Sequence, residues 1–127
     1  MAVFSQVETA AAPPALGPYS QAVKSGSLLF LSGQVGVNPG TGKLVSGGVV
    51  AEARQAFENI GAVLRAANID FSHVVKVAVF LVSMQEFSSL NQVYQEFFSP
   101  PFPARSAVAV RELPAGAVVE IEVTAVL

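Results

Sequence analysis

The amino-acid sequence predicts a single α+β domain over residues 1–127, a sandwich in which two helices pack on one face of a mixed β-sheet. Two observations support this fold class. The spacing of apolar residues changes between a period of two and a period of 3.6 along the chain, which gives the order strand, strand, short strand, helix, strand, helix, strand, strand. The length of 127 residues suits one domain, and the sequence shows no internal repeat.

The first half of the chain is predicted to begin with a hairpin. Residues 19–24 and 27–35 form two extended stretches joined by Ser25 and Gly26, where glycine can supply the positive φ of a tight turn. The residues "NPGTGKL" at 38–44 are typical of a surface turn, and they lead into a short third strand.

A helix, a central strand and a second helix follow. From about Val49 to Ala67 the apolar residues recur at helical spacing, so this helix should bury one face. The continuous apolar run of 73–82 is typical of a strand that is covered on both sides or lies against a subunit interface. Ser83 can cap the next helix, with Glu86 reaching back to complete a capping box. Its predicted buried stripe consists of Phe87, Leu90, Tyr94 and Phe97 or Phe98.

Two strands are predicted at the end of the chain, over about 105–111 and 118–126, on either side of the turn "ELPAG". Side chains alternate along a strand, so Glu120 and Glu122 share a face. If the two strands pair with each other antiparallel, Arg105 would lie on the same face as these glutamates.

The composition limits the classes of function. Apolar residues make up 52% of the chain and charged residues 13%, against roughly 25% charged in an average domain, which favours a surface shared with other subunits. The net charge is −2 and the seven Lys and Arg residues are scattered, which argues against a nucleic-acid partner. The absence of cysteine excludes thiolate chemistry and cysteine-bound metals. No segment matches a membrane span or a secretory signal, so we expect a cytoplasmic protein.

Arg105 is the main candidate for a functional residue. A guanidinium keeps its proton and needs acceptors for its five N–H groups, so an anion should meet it. One interpretation is an internal ion pair with a glutamate. The other is that the small neighbours Ala107 and Ala109 leave a cavity in which Arg105 binds both oxygens of a ligand carboxylate.

Three further residues have both a structural and a functional interpretation. Gly33, after Ser32 in "LSGQ", marks either a β-bulge or a place where a ligand approaches the backbone. Asn91 interrupts an apolar helical stripe, either for a structural hydrogen bond or for a site. Tyr19 follows a Gly-Pro pair and either packs or enters a pocket. The single histidine, His73, has no partner for a metal site or a catalytic triad, and we interpret it as a surface residue.

Several of these stretches together resemble the RidA/YjgF family of reactive enamine/imine deaminases. The resemblance extends from about Thr9 to the C-terminus, and "PARS" followed by "VEIE" is its most specific part. The matching stretches are "GPYSQAV" (17–23), "LSGQ" (31–34), "LNQVYQEFF" (90–98), "PARSAVAV" (103–110) and "VEIEV" (119–123). Family members fold like trimeric chorismate mutase, so the resemblance implies a central barrel made by three subunits, with ligand sites between them.

The resemblance also implies roles for individual residues. Arg105 would bind the carboxylate of a 2-imino or 2-aminoacrylate acid, helped by the backbone N–H of Ala107. Glu120 would activate a water for attack on the imine carbon, giving a 2-oxo acid and ammonia without a cofactor. Tyr19, Ser32, the backbone of Gly33, and Asn91 match pocket-lining positions of the family.

Two features and three alternatives bear on this assignment. Position 107 is alanine where many deaminases of the family have cysteine, and the link at 99–103 is rich in proline, so the pocket rim can differ. The chain could instead be a non-catalytic trimer that binds 2-oxo acids, or a deaminase of a larger enamine such as 2-aminomuconate. A ribonuclease role is attached to some members of the family, and the acidic charge balance counts against it here.

Overall fold

The computed structural model describes residues 3–127, which form nine strands and two helices. The helices are α1 (Gly48–Ala66) and α2 (Phe87–Phe97). The strands are β1 (Ser5–Val7), β2 (Ala22–Ser25), β3 (Leu28–Leu31), β4 (Gln34–Val35), β5 (Val37–Asn38), β6 (Lys43–Leu44), β7 (Val74–Leu81), β8 (Ala104–Ala109) and β9 (Val119–Val126).

Seven of the strands form one mixed sheet in the order β1-β2-β3-β9-β7-β8, with β4 also paired to β9. All pairs are antiparallel except β7 with β8, which are parallel because helix α2 carries the chain back to the starting end of the sheet. Strands β5 and β6 form a separate ribbon. The predicted α+β fold class, with two helices on a mixed sheet, is confirmed, and the sheet of one chain is open.

The hydrophobic core lies between the two helices and one face of the sheet. Helix α1 buries a stripe that includes Phe57, Ile60 and Leu64, each 0% exposed, as its periodicity predicts. The helix ends at Ala66, and the chain turns away from it at Asn68, which adopts a positive φ of 63°. Neither helix within residues 3–127 is long and apolar enough to cross a membrane.

The predicted elements are confirmed with small changes of boundary. The hairpin turns at Gly26, whose φ is 59°. Ser83 accepts a hydrogen bond from the Gln85 N–H at the start of a short 3-10 turn, and α2 begins only at Phe87. The capping box predicted at Ser83 is therefore wrong, because Glu86 lies in that turn and its backbone N–H donates to the Ser83 carbonyl. Strand β1 has three residues and was not predicted.

The predicted antiparallel pairing of the last two strands is wrong. Strand β7 lies between them, and it pairs with β8 on one edge and with β9 on the other. A strand, a helix and a strand in succession make a parallel unit, so β8 joins the outer edge of β7 and leaves the inner edge free for β9. The expected placement of Arg105 beside the glutamates depends on that pairing and is also wrong.

Gly36 allows helix α1 to lie directly against the chain between β4 and β5. A Cβ atom at this position would be 2.6 Å from the Cα and 2.6 Å from the carbonyl oxygen of Glu52. We expect Gly36→Ala to lower the free energy of unfolding by at least about 2 kcal/mol, because a helix backbone cannot move aside alone. Chemical denaturation at one protein concentration measures this, and Gly17→Ala, which meets only ordinary contacts, is the control. Equal stability of the two variants would contradict the prediction.

Candidate active site

Arg105 lies on the edge strand β8, and its half-buried side chain contacts helix α2. An N–H group at Nη1 donates to Oδ1 of Asn91 over 2.7 Å. Within residues 3–127 no carboxylate forms an ion pair with Arg105. The interpretation of Arg105 as half of an internal ion pair therefore does not hold for this chain, and its other N–H groups are left for an external anion.

Two aromatic rings of the same helix also contact the guanidinium. Its Cζ lies 4.6 Å from the ring centroid of Tyr94 and 5.2 Å from that of Phe87. Phe87, Asn91 and Tyr94 follow one another at spacings of four and three residues, so they occupy one face of α2. We call these three residues the α2 clamp.

A cavity of about 490 Å³ adjoins Arg105. Its lining consists of Asn91, Tyr94, Gln95, Phe102, Pro103 and Arg105, and we call it the Arg105 cavity. The link at 99–103 therefore forms part of the rim of this cavity, as the sequence suggested.

The backbone N–H of Ala107 points away from the sheet. Strand β8 is an edge strand, and just beyond it the Val110 N–H donates to the Leu81 carbonyl of β7 over 2.7 Å. Because the N–H direction alternates along a strand, the Ala107 N–H, three residues earlier, faces the open edge. It is available to a ligand that lies beside Arg105.

Glu120 lies on β9 and is half-buried in a second cavity, of about 670 Å³. We call this the Glu120 cavity, and its polar lining includes Tyr19, Ser32, Gly33 and Glu122. The carboxylate of Glu120 rests against Gly33, since a Cβ atom there would be 2.9 Å from Cδ and 3.0 Å from Oε2. The missing side chain of Gly33 is thus what makes room for the carboxylate.

Burial raises the pKa of the Glu120 carboxyl above its ordinary value, and the neighbouring negative charge of Glu122 raises it further. Both effects disfavour the ionised form. They bring the carboxyl closer to the range in which it can accept and return a proton near neutral pH.

Ser32 is hydrogen-bonded to the loop that carries Tyr19. The Ser32 hydroxyl donates to the Ser20 carbonyl over 2.6 Å, and the Ser32 N–H donates to the Gln21 carbonyl over 2.9 Å. These bonds fix the loop that carries Tyr19, whose side chain is 54% exposed at the Glu120 cavity. Because the Ser32 O–H already donates to the Ser20 carbonyl, this hydroxyl can only accept a hydrogen bond from a ligand.

The two cavities lie on opposite faces of the sheet. Arg105 pairs with Val77, which in turn pairs with Val123 of β9. Paired residues share a face and successive residues alternate, so Glu120, three positions from Val123, points to the other face. One protomer therefore brings Arg105, Asn91 and Ala107 together on one side, and Tyr19, Ser32, Gly33 and Glu120 on the other.

Phe87 and Tyr94 are predicted from the sequence only as members of a buried stripe. Their contact with a cation was missed, although the spacing of Phe87, Asn91 and Tyr94 already put one amide and two rings on a single helix face. The missing information was which strand crosses that face, and this depends on the parallel pairing of β7 and β8.

Known proteins match this chain in fold and over nearly all of its sequence. A goat protein named 2-iminobutanoate/2-iminopropanoate deaminase is 52% identical over 120 residues, covering 94% of this chain and 88% of its own. RidA from a Psychrobacter species is 45% identical with a TM-score of 0.93, covering 97% of this chain and 99% of its own. TdcF of E. coli, solved with bound serine, is 39% identical with a TM-score of 0.91, covering 97% and 98%.

The family assignment rests on nearly the whole chain. Residues 9–127 match the family described as endoribonuclease L-PSP. This range contains both cavities and every residue of the candidate site. The chain therefore belongs to the endoribonuclease L-PSP family, which is the RidA/YjgF family that its motifs resemble.

Proposed function

We propose that this protein hydrolyses reactive 2-imino acids and their enamine tautomers, such as 2-iminobutanoate and 2-iminopropanoate, to 2-oxo acids and ammonia. The observation that carries the proposal is the state of Arg105, a half-buried guanidinium with a neutral acceptor, Asn91, and no ion pair within residues 3–127. The goat and human relatives, 52% and 48% identical, bear the name of this activity.

Arg105 binds the substrate carboxylate. Its planar N–H groups match the two oxygens of a carboxylate, and the free N–H of Ala107 adds a third donor at the same sheet edge. Asn91 acts on the substrate through Arg105, because its Oδ1 is already engaged by the guanidinium. TdcF, a relative with the same fold, was solved with bound serine, a small amino acid that carries an α-carboxylate.

Glu120 activates the water. The water oxygen bonds to C2 of the iminium group as one of its protons passes to the Glu120 carboxylate. The resulting amino alcohol takes that proton on nitrogen. The C–N bond then breaks and ammonia leaves, while the C2 hydroxyl passes its proton to the Glu120 carboxylate and becomes the carbonyl. Release of this proton to solvent restores the base. An iminium carbon is already electrophilic, so a positioned water and a base suffice.

The opposite placement of the two cavities supports a site shared between subunits, in a homotrimer. The sheet face that carries Glu120 also exposes Phe30 at 42%, Val108 at 47% and Val126 at 38%. Such a face suits burial against a second copy of the chain, which would bring its own Arg105 toward Glu120. A monomer seen by light scattering at micromolar concentration would contradict the assembly.

The activity is tested by coupling the protein to a threonine dehydratase and following 2-iminobutanoate trapped by semicarbazide. Faster loss of imine than the spontaneous rate supports the deaminase. No acceleration, together with binding of 2-oxobutanoate, would instead support the non-catalytic trimer. No acceleration with turnover of 2-aminomuconate would support the larger substrate.

Gly33→Ala separates the position of Glu120 from the stability of the fold. The atoms nearest to a Cβ at this position are Cγ, Cδ and Oε2 of Glu120, and this flexible side chain can swing away. We expect kcat/KM to fall at least about tenfold through the displaced carboxylate. The melting temperature should stay within a few degrees of the wild type. An unchanged kcat/KM would show that Glu120 is not held by this contact.

Nucleic acid is not part of the proposal, although the family description names a ribonuclease. The net charge of −2 and the scattered Lys and Arg residues offer no continuous basic surface for a phosphate backbone.

The cytoplasmic location stays a prediction from the sequence.

A further inference from the structure

The α2 clamp surrounds Arg105 with groups that neither neutralise its charge nor compete with an anion. The two rings lie 4.6 Å and 5.2 Å from Cζ, within the distance of about 6 Å over which an aromatic face attracts a cation. The Oδ1 atom of Asn91 accepts a hydrogen bond from one N–H group of the guanidinium over 2.7 Å. A glutamate in the place of either ring would instead close the carboxylate site with an internal ion pair.

The clamp is itself held by the core. Tyr94 is 5% exposed, and its ring lies 4.6 Å from that of Phe98 and, edge to face, 5.9 Å from that of Phe57. A ring packed in this way has little freedom to turn. Burial also raises the pKa of its phenol, against the opposing effect of Arg105, so the ring stays neutral.

We infer that Phe87 and Tyr94 are positioning residues, which together with Asn91 fix the plane of the Arg105 guanidinium before a carboxylate binds. The inference rests on the proposed function of Arg105. A long side chain that is already ordered loses less freedom when its ligand arrives, which favours affinity. A fixed plane also sets the direction in which the substrate C2 points toward the water held by Glu120.

The first test observes Arg105 directly and needs no ligand. The chain has four arginines, so the Nε–H resonance of Arg105 can be assigned in the free protein by comparison with the spectrum of Arg105→Ala. We expect the ring currents of Phe87 and Tyr94 to change the chemical shift of this proton. Phe87→Leu should move the chemical shift toward that of free arginine. Phe97→Leu is the matched control, because Phe97 stacks on Phe57 at 4.8 Å and its ring does not lie over the Arg105 guanidinium. A resonance that Phe87→Leu leaves in place would overturn the inference.

The second test measures the consequence for binding and turnover. We expect Phe87→Leu to weaken the affinity for 2-oxobutanoate about tenfold, and to raise KM for 2-iminobutanoate more than it lowers kcat. Phe87→Tyr should restore most of the affinity, since it returns an aromatic face. A general loss of structure would lower the melting temperature without this rescue.

The outcomes for the clamp and for the proposed function can be told apart. If the wild type binds 2-oxobutanoate through Arg105 and accelerates no imine hydrolysis, the proposed function fails while the affinity and the resonance still test the clamp. If the wild type hydrolyses imines and Phe87→Leu has wild-type affinity and KM, the clamp is wrong.

Discussion

Glu120→Gln is expected to abolish hydrolysis of 2-iminobutanoate above the spontaneous rate while leaving 2-oxobutanoate bound. The amide keeps the size and much of the polarity of the carboxyl against Gly33 but cannot accept the proton of the attacking water. General base catalysis contributes about 10²–10⁴-fold to rate, so kcat should fall by that order. Retained turnover near the wild-type level would show that another group activates the water.

The pH dependence of the wild type provides an independent check on Glu120. Burial and the charge of Glu122 raise the pKa of Glu120, and the carboxyl acts as a base only when ionised. The value of kcat/KM should therefore fall as pH drops through this raised pKa, at a higher pH than an ordinary glutamate of pKa about 4.3 would give. Glu122→Gln removes one cause of the shift and should move this acid limb to lower pH. An unmoved limb would show that Glu122 has no such effect.

Local patterns were sufficient for most of the fold. Helix α1 follows from the 3.6 period over Val49 to Ala67, and the hairpin follows from Gly26 between two extended stretches. Strand β1 was missed because three residues, two exposed and one buried, carry too little periodicity to be detected. The pairing of the last strands was predicted from their nearness in sequence, whereas the sheet pairs each of them with β7.

The residues of the site could be predicted from the sequence, but their relative positions could not. Arg105 and Glu120 could be recognised because charges in apolar strands need an explanation, and the family motifs added their neighbours. Their relative position could not be found, because it depends on the register of β8 and β9 with β7, and a shift of one residue reverses the face. The role of Phe87 could not be predicted for the same reason. An aromatic ring on an apolar helical stripe is interpreted as a core residue unless the strand that brings Arg105 against it is known.

Arg105→Ala is expected to weaken 2-oxobutanoate binding at least about a hundredfold, because a pair of charge-assisted hydrogen bonds to a carboxylate is lost. The cavity remains, and Ala107 alone cannot hold the anion. Turnover should fall to the spontaneous rate, as is also expected for Glu120→Gln, although for a different reason. Calorimetric titration separates the two variants, and unchanged 2-oxobutanoate affinity in Arg105→Ala would refute its role.

Mixing these two inactive variants shows whether Arg105 and Glu120 act across a subunit boundary. Arg105 lies on the helix-facing side of its sheet and Glu120 on the other, so one protomer cannot join them. In trimers refolded from equal amounts of Arg105→Ala and Glu120→Gln, a site that takes each residue from a different chain is intact about a quarter of the time. Activity should return to about that fraction of the wild type.

The control for this mixture replaces Glu120→Gln by the double variant Arg105→Ala/Glu120→Gln. No combination of these chains contains an intact Arg105, so no activity should return whichever way the subunits assemble. If the first mixture also stays inactive although its trimers form, both residues would have to act within one protomer. The sheet would then have to rearrange so that β8 presents Arg105 to the face of Glu120, against the register that β7 imposes.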